Sequence, residues 1–330
     1  MECARMNFTK TLLLYSAILG AQLGLAPLAS ADEFPAKPIS VVVAWPAGGV
    51  HDTAARIVAE HLAKRLPTPV IVTNVTGAGG STGVRHVEQA DPDGYTLGLM
   101  GMHALSQNYM NPNATALSDL DPLAYLGPEP GSIQVSADSG IESLPQLIDT
   151  LKQEPGSIIN GNDSPGGFSY VMAAMMESAL DVKLTKVPYQ GFAPTVAAIL
   201  SGEVMSSTLP VPQLAEQHKS GQVKILGVAA EQRHFFAPDV PTFKEQGFDF
   251  IAGDYYIFYL PKKVPEERRS RLESALYETL LDPAFQQAAH KAGLILDPRN
   301  SVDTQAFLAQ QDEKVYPILL SAGLVKARQK

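Results

Sequence analysis

Ile39-Ser40-Val41-Val42-Val43-Ala44-Trp45-Pro46-Ala47-Gly48-Gly49-Val50-His51-Asp52 is the stretch that decides the fold. Its first six residues form an apolar, β-branched run of strand length. The glycine turn that follows leads into a helical pattern over 52–66, where Ala54, Ile57, Val58, Leu62 and Leu66 recur at helical spacing. The same arrangement then repeats. A strand over 70–75 passes through Thr76-Gly77-Ala78-Gly79-Gly80-Ser81-Thr82-Gly83 into a helix over 81–90, and Asp91-Pro92-Asp93-Gly94 turns into a third strand over 95–100. A β-α-β-α-β order implies a parallel sheet with right-handed crossovers.

Toward the C-terminus, the Pro- and Gly-rich residues 121–131 mark a crossing into a second lobe. There the pattern predicts helices over 144–152, 169–180 and 194–201, with strands over 157–160, 184–187 and 223–229. An apolar strand over 255–260 precedes helices over 265–281, 283–292 and 301–320, the last with Ser301 as N-cap. The expected fold class is α/β, with two lobes of mainly parallel sheet around a cleft. Lobe 1 is expected to hold residues 32–131 and 250–330, and lobe 2 residues 132–249.

Toward the N-terminus, Arg5 and Lys10 precede an apolar run that closes on Ala29-Ser30-Ala31. This is the pattern of a secretory signal peptide, residues 1–31, with Met6 as an alternative start. Gly20, Gln22, Gly24 and Pro27 break the run before it reaches the ~20 residues of a membrane span. Removing 31 of the 330 residues leaves 299, enough for about two domains. Cys3, the one cysteine, is lost with the leader, which excludes disulfides, thiolate metal sites and cysteine catalysis in the secreted chain. Because the leader carries Glu2, Arg5 and Lys10, its removal takes the formal charge from −9 to −10. So acidic a surface argues against nucleic acid as partner. The seven histidines show no paired metal spacing, so neither a metal nor a cofactor is expected.

Ligands of open parallel sheets sit beyond the carboxyl ends of the strands. Three glycine loops fall there, each running into a helix start: residues 45–52, 76–83 and 161–168. Glycines let backbone N–H groups converge, and a helix start adds partial positive charge, so each loop suits an anion. The candidate ligand-binding residues are Ala47, Gly48, Gly49, Asp52, Ala78, Gly79, Gly80, Ser81, His103, Ser164, Gly166, Gly167, Phe168 and Tyr255. Asp52 is ambiguous, since as a helix cap it would hold N–H groups, whereas facing a carboxylate it would repel. Tyr255 or Tyr256 lines the cleft, according to which way the strand's alternation falls. A competing reading takes Gly79-Gly80-Ser81-Thr82-Gly83 as the G-x-S-x-G elbow of a secreted α/β serine hydrolase, with Ser81 as nucleophile and His218, His234 or His290 as base. Against it, the pattern begins several residues past the strand.

Taken in order, several motifs resemble the Bug family, the periplasmic solute receptors of tripartite tricarboxylate transporters. They are Pro35-Ala36-Lys37-Pro38-Ile39, Trp45-Pro46-Ala47-Gly48-Gly49, Asp52, Ala55-Arg56, Asn74, Gly77-Ala78-Gly79-Gly80, Gly83, Pro92-Asp93-Gly94-Tyr95-Thr96-Leu97, Val187-Pro188-Tyr189-Gln190-Gly191, Gly202, Pro238-Asp239-Val240-Pro241-Thr242 and Ala322-Gly323-Leu324. The resemblance implies a type II periplasmic-binding fold and capture of a small organic carboxylate without catalysis, while the aromatics near the cleft favour an aromatic acid, with a dicarboxylate as the other expectation. It implies that the loops of Gly48-Gly49 and Gly79-Gly80 grip one carboxylate, partly through water, while 164–168 contacts the rest. The implied partners are a large and a small integral membrane subunit, or a sensor, met in the periplasm by a monomer. Trp45, where the family more often has phenylalanine, the absence of a histidine after Ser164, and Tyr255-Tyr256 in place of a tryptophan are departures that bear on which acid is bound.

Overall fold

The computed structural model describes residues 34–330; the expected leader lies outside the described residues. In the first lobe, β1 (Ile39–Val43) runs parallel to β2 (Val70–Asn74) on one side and β3 (Thr96–Met100) on the other. The β-branched β1 is almost wholly buried, as a central strand should be, whereas the edge strand β2 leaves Ile71 half exposed. Helices α1 (Val50–Leu62) and α2 (Ser81–Glu88) start where β1 and β2 have ended, and α3 (Met102–Met110) starts one residue past β3. All three helix starts therefore lie at one end of the sheet.

The segment 121–131, expected as a loop because of its prolines, belongs to the longest strand, β4 (Leu120–Ser136). Its first part pairs antiparallel with β9 (Gly253–Pro261), which itself pairs with β3. On the other edge of that part, Asp297 and Arg299 bond to Leu126 and Tyr125, and the ladder shifts register beside Pro122. Prolines that owe no hydrogen bond to a neighbour do not break a strand. From Gly131 onward β4 joins the second sheet, pairing antiparallel with β7 (Ser206–Pro210) and β8 (Val223–Val228). In that sheet β5 (Ile159–Asn162) lies parallel between β7 and β6 (Thr185–Pro188). The sheets are thus mixed, with antiparallel pairs where the crossing strands β4 and β9 are added to parallel cores.

The lobes are joined where three chain segments lace together. Gly131 N–H donates to Ala252 (3.0 Å), Ala252 N–H to Ala229 (3.1 Å), and Ala229 N–H to Gly131 (2.8 Å). Gly131 admits no side chain, because a Cβ there would lie 2.8 Å from the Phe168 ring. Helix α4 (Leu144–Gln153) starts at the N-cap Ser143, and α5 (Phe168–Leu180), α6 (Phe192–Leu200) and the short α7 (Ala215–Lys219) complete lobe 2. In lobe 1, α8 (Glu266–Leu281) and α9 (Pro283–Lys291) precede α10 (Ser301–Ser321). The cap of α10 is Asn300 rather than Ser301, its side chain accepting from Asp303 N–H at 2.9 Å. Packing against α3, α5 and β4, α10 braces both lobes.

Candidate functional site

Gly49 caps α1 with backbone alone, so the first-turn N–H groups have no intrahelical partner. Asp52, in that first turn, holds the preceding loop in place. Its carboxylate accepts from Gly48 N–H (3.0 Å), Arg56 Nε and Nη2 (2.9 Å each) and Asn74 Nδ2 (2.9 Å). The same Asn74 amide donates to the Trp45 carbonyl (2.9 Å), which ties the loop to the end of β2. Burial alone would raise the Asp52 carboxyl, but the bonds from Arg56, Gly48 and Asn74 hold it below its ordinary value. Asp52 therefore bonds back to the loop before the helix and to the Arg56 side chain one turn on, and both its oxygens are occupied within its own lobe.

The second loop takes positive φ at four successive residues, from Gly77 through Ala78 and Gly79 to Gly80. In Ala78 this costs about 1–2 kcal/mol, a strain that the surrounding structure must hold. Gly80 is obligatory for a second reason: a Cβ would lie 2.5 Å from the His103 ring. His103 is fully buried at the start of α3, where its Nδ1 accepts from Trp45 Nε1 (3.3 Å). Its Nε2 has no partner among the described residues, and burial, aided by His51, holds its pKa well below the ordinary value. The His51 ring lies 5.9 Å from His103 and 4.9 Å from Tyr256. Although 3.7 Å from Asp254, it too is kept neutral by burial, against the pull of Asp254 and of the Tyr255 carbonyl. Glu129, paired across the strands with Asp254, accepts the Tyr256 hydroxyl, and burial pushes it up to about 8. The floor of the cleft thus carries two neutral imidazoles and a carboxyl that holds its proton at neutral pH, with Asp254, raised by burial, beside His51.

In the second lobe, Asp163 accepts from Ser169 and Tyr170 N–H (3.3 and 3.0 Å) at the start of α5, and burial pushes its carboxyl up to about 8. Ser164 donates to the Tyr189 carbonyl (3.1 Å), which joins this loop to the end of β6. The lobes are latched together. Gln107 Nε2 donates to the Pro165 carbonyl (2.7 Å), Ser106 Oγ donates to the Gly166 carbonyl, and Gly191 sits against Pro46 and Trp45. A void of about 20 Å³ remains between Trp45, Gly49 and His51 on one side and Phe192 on the other, room for one water-sized group. Beside it, a pocket of about 400 Å³ opens between Ala78, Gly79 and Gln107 of lobe 1 and Ser164, Pro165 and Gln190 of lobe 2.

The structure gathers most of the expected residues at this junction: Gly48, Gly49, Ala78, Gly79, Gly80, His103, Ser164 and Gly166 on its facing loops, with Ala47 exposed beside them and Gly167 capping α5. Two it places elsewhere. Phe168 is packed in the core against Gly131 and Met172, because it begins a helix whose buried face is mostly apolar. Tyr255 points away from the cleft to Phe307 on α10 (5.2 Å), whereas the next residue, Tyr256, faces His51. His51, Gln107, Glu129, Asp163 and Asp254 were not anticipated. Only His51 and Asp163 lay within loops the sequence had marked. Nor is the G-x-S-x-G elbow built for hydrolysis. Ser81 Oγ accepts from the amide of Asn111 (3.3 Å), and an amide cannot act as a base. His218 is engaged by Asp239, and His234 and His290 stack on Phe235.

Two α/β lobes joined by crossing strands, with glycine loops and helix starts facing one another across a latched cleft, define a solute-binding protein of the type II periplasmic-binding fold. The chain belongs to the tripartite tricarboxylate transporter family receptors, whose family model matches residues 54–324. It is similar to Protein BugT of Bordetella pertussis, 29% identical over 324 residues that cover 96% of this chain and 99% of that one. The structure of the periplasmic binding protein BugD is also similar (TM-score 0.81, 29% identity, 89% of this chain and 100% of that one). So is MatC from Rhodopseudomonas palustris with bound malate (TM-score 0.78, 25% identity, 89% and 100%).

Proposed function

We propose that this chain is a periplasmic receptor that captures a small organic carboxylate between the loops at 47–49, 78–81 and 163–167. It hands the acid to the large and small membrane subunits of a tripartite tricarboxylate-type transporter, or reports it to a sensor. The observation that carries this reading is the convergence of three helix starts, those of α1, α2 and α5, on one closable junction. N–H groups at helix starts favour an anion, and hydrogen bonds to a charged group contribute about 1.5–3 kcal/mol each. Three or four such bonds supply the roughly 8 kcal/mol of a micromolar complex. Malate in MatC supports a carboxylate as the ligand. Trp45 and Phe192 at the void favour an acid with an apolar body, since aromatic rings bury area with little loss of entropy. The receptor works as a monomer and turns nothing over, and Ser81 opens helix α2 rather than serving as a nucleophile.

Thermal unfolding against a panel of aromatic and aliphatic mono- and dicarboxylates tests this. An acid at ~100 times its dissociation constant stabilises the folded chain by about 2.7 kcal/mol. A melting shift with one class of acid, recovered unchanged, is the expected result. No shift with any acid, together with ester hydrolysis that Ser81→Ala abolishes, would overturn it.

A further inference from the structure

We infer that the chain carries a second ligand site, behind the hinge strands, for an amphipathic organic acid with one anionic head and a long apolar body. A cavity of about 1010 Å³ lies between β4 and β9, the segments 229–235 and 290–296, and α10. It is more than twice the volume of the larger cleft pocket and is large even for a small-molecule site. It is also separate from the cleft, because successive side chains of β9 face opposite ways. Tyr256 turns to His51 in the cleft floor, and Tyr255 turns to Phe307 in the cavity wall.

The lining names the class of ligand. Tyr125, Phe307, Met175, Val315 and Ile318 give apolar walls drawn from both lobes. Phe235 and Ile251 also line the cavity and are 36% and 46% exposed, so this apolar surface is open to water, as binding surfaces are. Of the other charged groups, Arg233 is taken by Glu245 and Glu231 by Lys244, while the Asp254 carboxyl, raised by burial, accepts from the N–H groups of Met102 and Tyr255. Lys314 lines the cavity and, among the described residues, makes no ion pair. The Tyr255 hydroxyl, wholly buried in the wall, has no hydrogen-bond partner either, an arrangement that folding alone does not favour. One unpaired cation beside a long apolar cavity selects a monocarboxylate. A short dicarboxylate would leave its second charge unpaired against apolar walls.

Titration calorimetry with decanoate tests the site, using the wild type, Lys314→Glu at the cavity and Ala47→Trp, which obstructs the cleft. Both positions are exposed, and melting curves check that each variant folds. The expected result is one decanoate bound per wild-type chain, at least ten-fold weaker in Lys314→Glu and within two-fold of wild type in Ala47→Trp. Absence of saturable binding below the micelle concentration would overturn the proposal. So would binding that Ala47→Trp abolishes, which would place decanoate in the cleft, or binding that Lys314→Glu leaves within two-fold of wild type.

Discussion

Replacing Asp52 by alanine tests whether the first glycine loop is held from behind. Four hydrogen bonds converge on that carboxylate, all between 2.9 and 3.0 Å. The two from Arg56 come from a side chain that is 52% exposed, so water and salt screen them to about 1 kcal/mol at most together. The bonds from Gly48 N–H and Asn74 Nδ2 go to a charged acceptor that is only 5% exposed; with the loop donor open to water, they contribute roughly 1 kcal/mol each. The loss is therefore about 3 kcal/mol, which lowers the melting temperature of a chain this size by about 6 °C. The released loop must then be ordered by the ligand itself, and affinity for the captured acid falls about ten-fold for each ~1.4 kcal/mol of that ordering. Asp52→Asn keeps the shape but turns an NH₂ toward donors, so it falls nearer to alanine than to wild type. Melting by circular dichroism and calorimetric binding read both effects. The carboxyl titrates below its ordinary value in the folded chain, so the advantage of wild type over Asn is whole above about pH 4 and disappears as pH falls through the folded value. An Ala variant melting within about 1 °C of wild type, with unchanged affinity, would refute the assignment.

Two further perturbations probe closure and the floor. In Gly79→Ala, the new Cβ would lie 2.7 Å from the Pro165 carbonyl of the opposite lobe, at a φ of +60°. Closure should be blocked more than folding is harmed: scattering should show a more extended particle and affinity should drop at least ten-fold, with a melting loss of only a few degrees. A variant as compact as wild type with full affinity would contradict the latch. Glu129→Gln bears on the buried carboxyl. Its folded value of about 8 lies above the ordinary 4.5, so the native chain keeps a proton that the unfolded chain has released. The stability this contributes is whole below pH 4.5 and is lost as pH rises toward 8. Denaturant titrations should therefore show the Gln variant gaining on wild type by ~1.4 kcal/mol per pH unit across that window. A difference independent of pH would mean that Glu129 is ionised in the fold.

Much of this architecture was legible because the parallel cores pair β-branched strands with amphipathic helices, as in β1 with α1. What escaped was coded in other ways. Pro122, Pro128 and Pro130 read as loop, yet they pair with Tyr259, Tyr255 and Gly253 of β9, a strand far along the chain. The residues of β7, Ser206, Ser207 and Thr208, read as polar, and they are buried because Asn160, Gln134, Asn162 and Ser169 satisfy them. The choice between Tyr255 and Tyr256 was undetermined in principle, since β9 is buried on both faces and its apolar run carries no alternation. Likewise, the loops facing the cleft were visible as glycine turns, whereas Asp254, Glu129 and Gln107 came from segments with no motif.

The continuity of β4 through both lobes also bears on how the chain folds. Strand β3 finds its neighbour in β9, with Leu99 opposite Phe258, so that contact closes a loop of 258 − 99 = 159 positions around the whole of lobe 2. Closing so long a loop is slow, because its entropy is lost before the sheet repays it. Lobe 2, whose remaining strand pairings fall within residues 131–228, condenses on nearer contacts. In lobe 1, β1, β2 and β3 pair within residues 39–100, but the sheet is completed only when the last third of the chain supplies β9. The strand that couples the lobes therefore also sets the order in which the two sheets are completed.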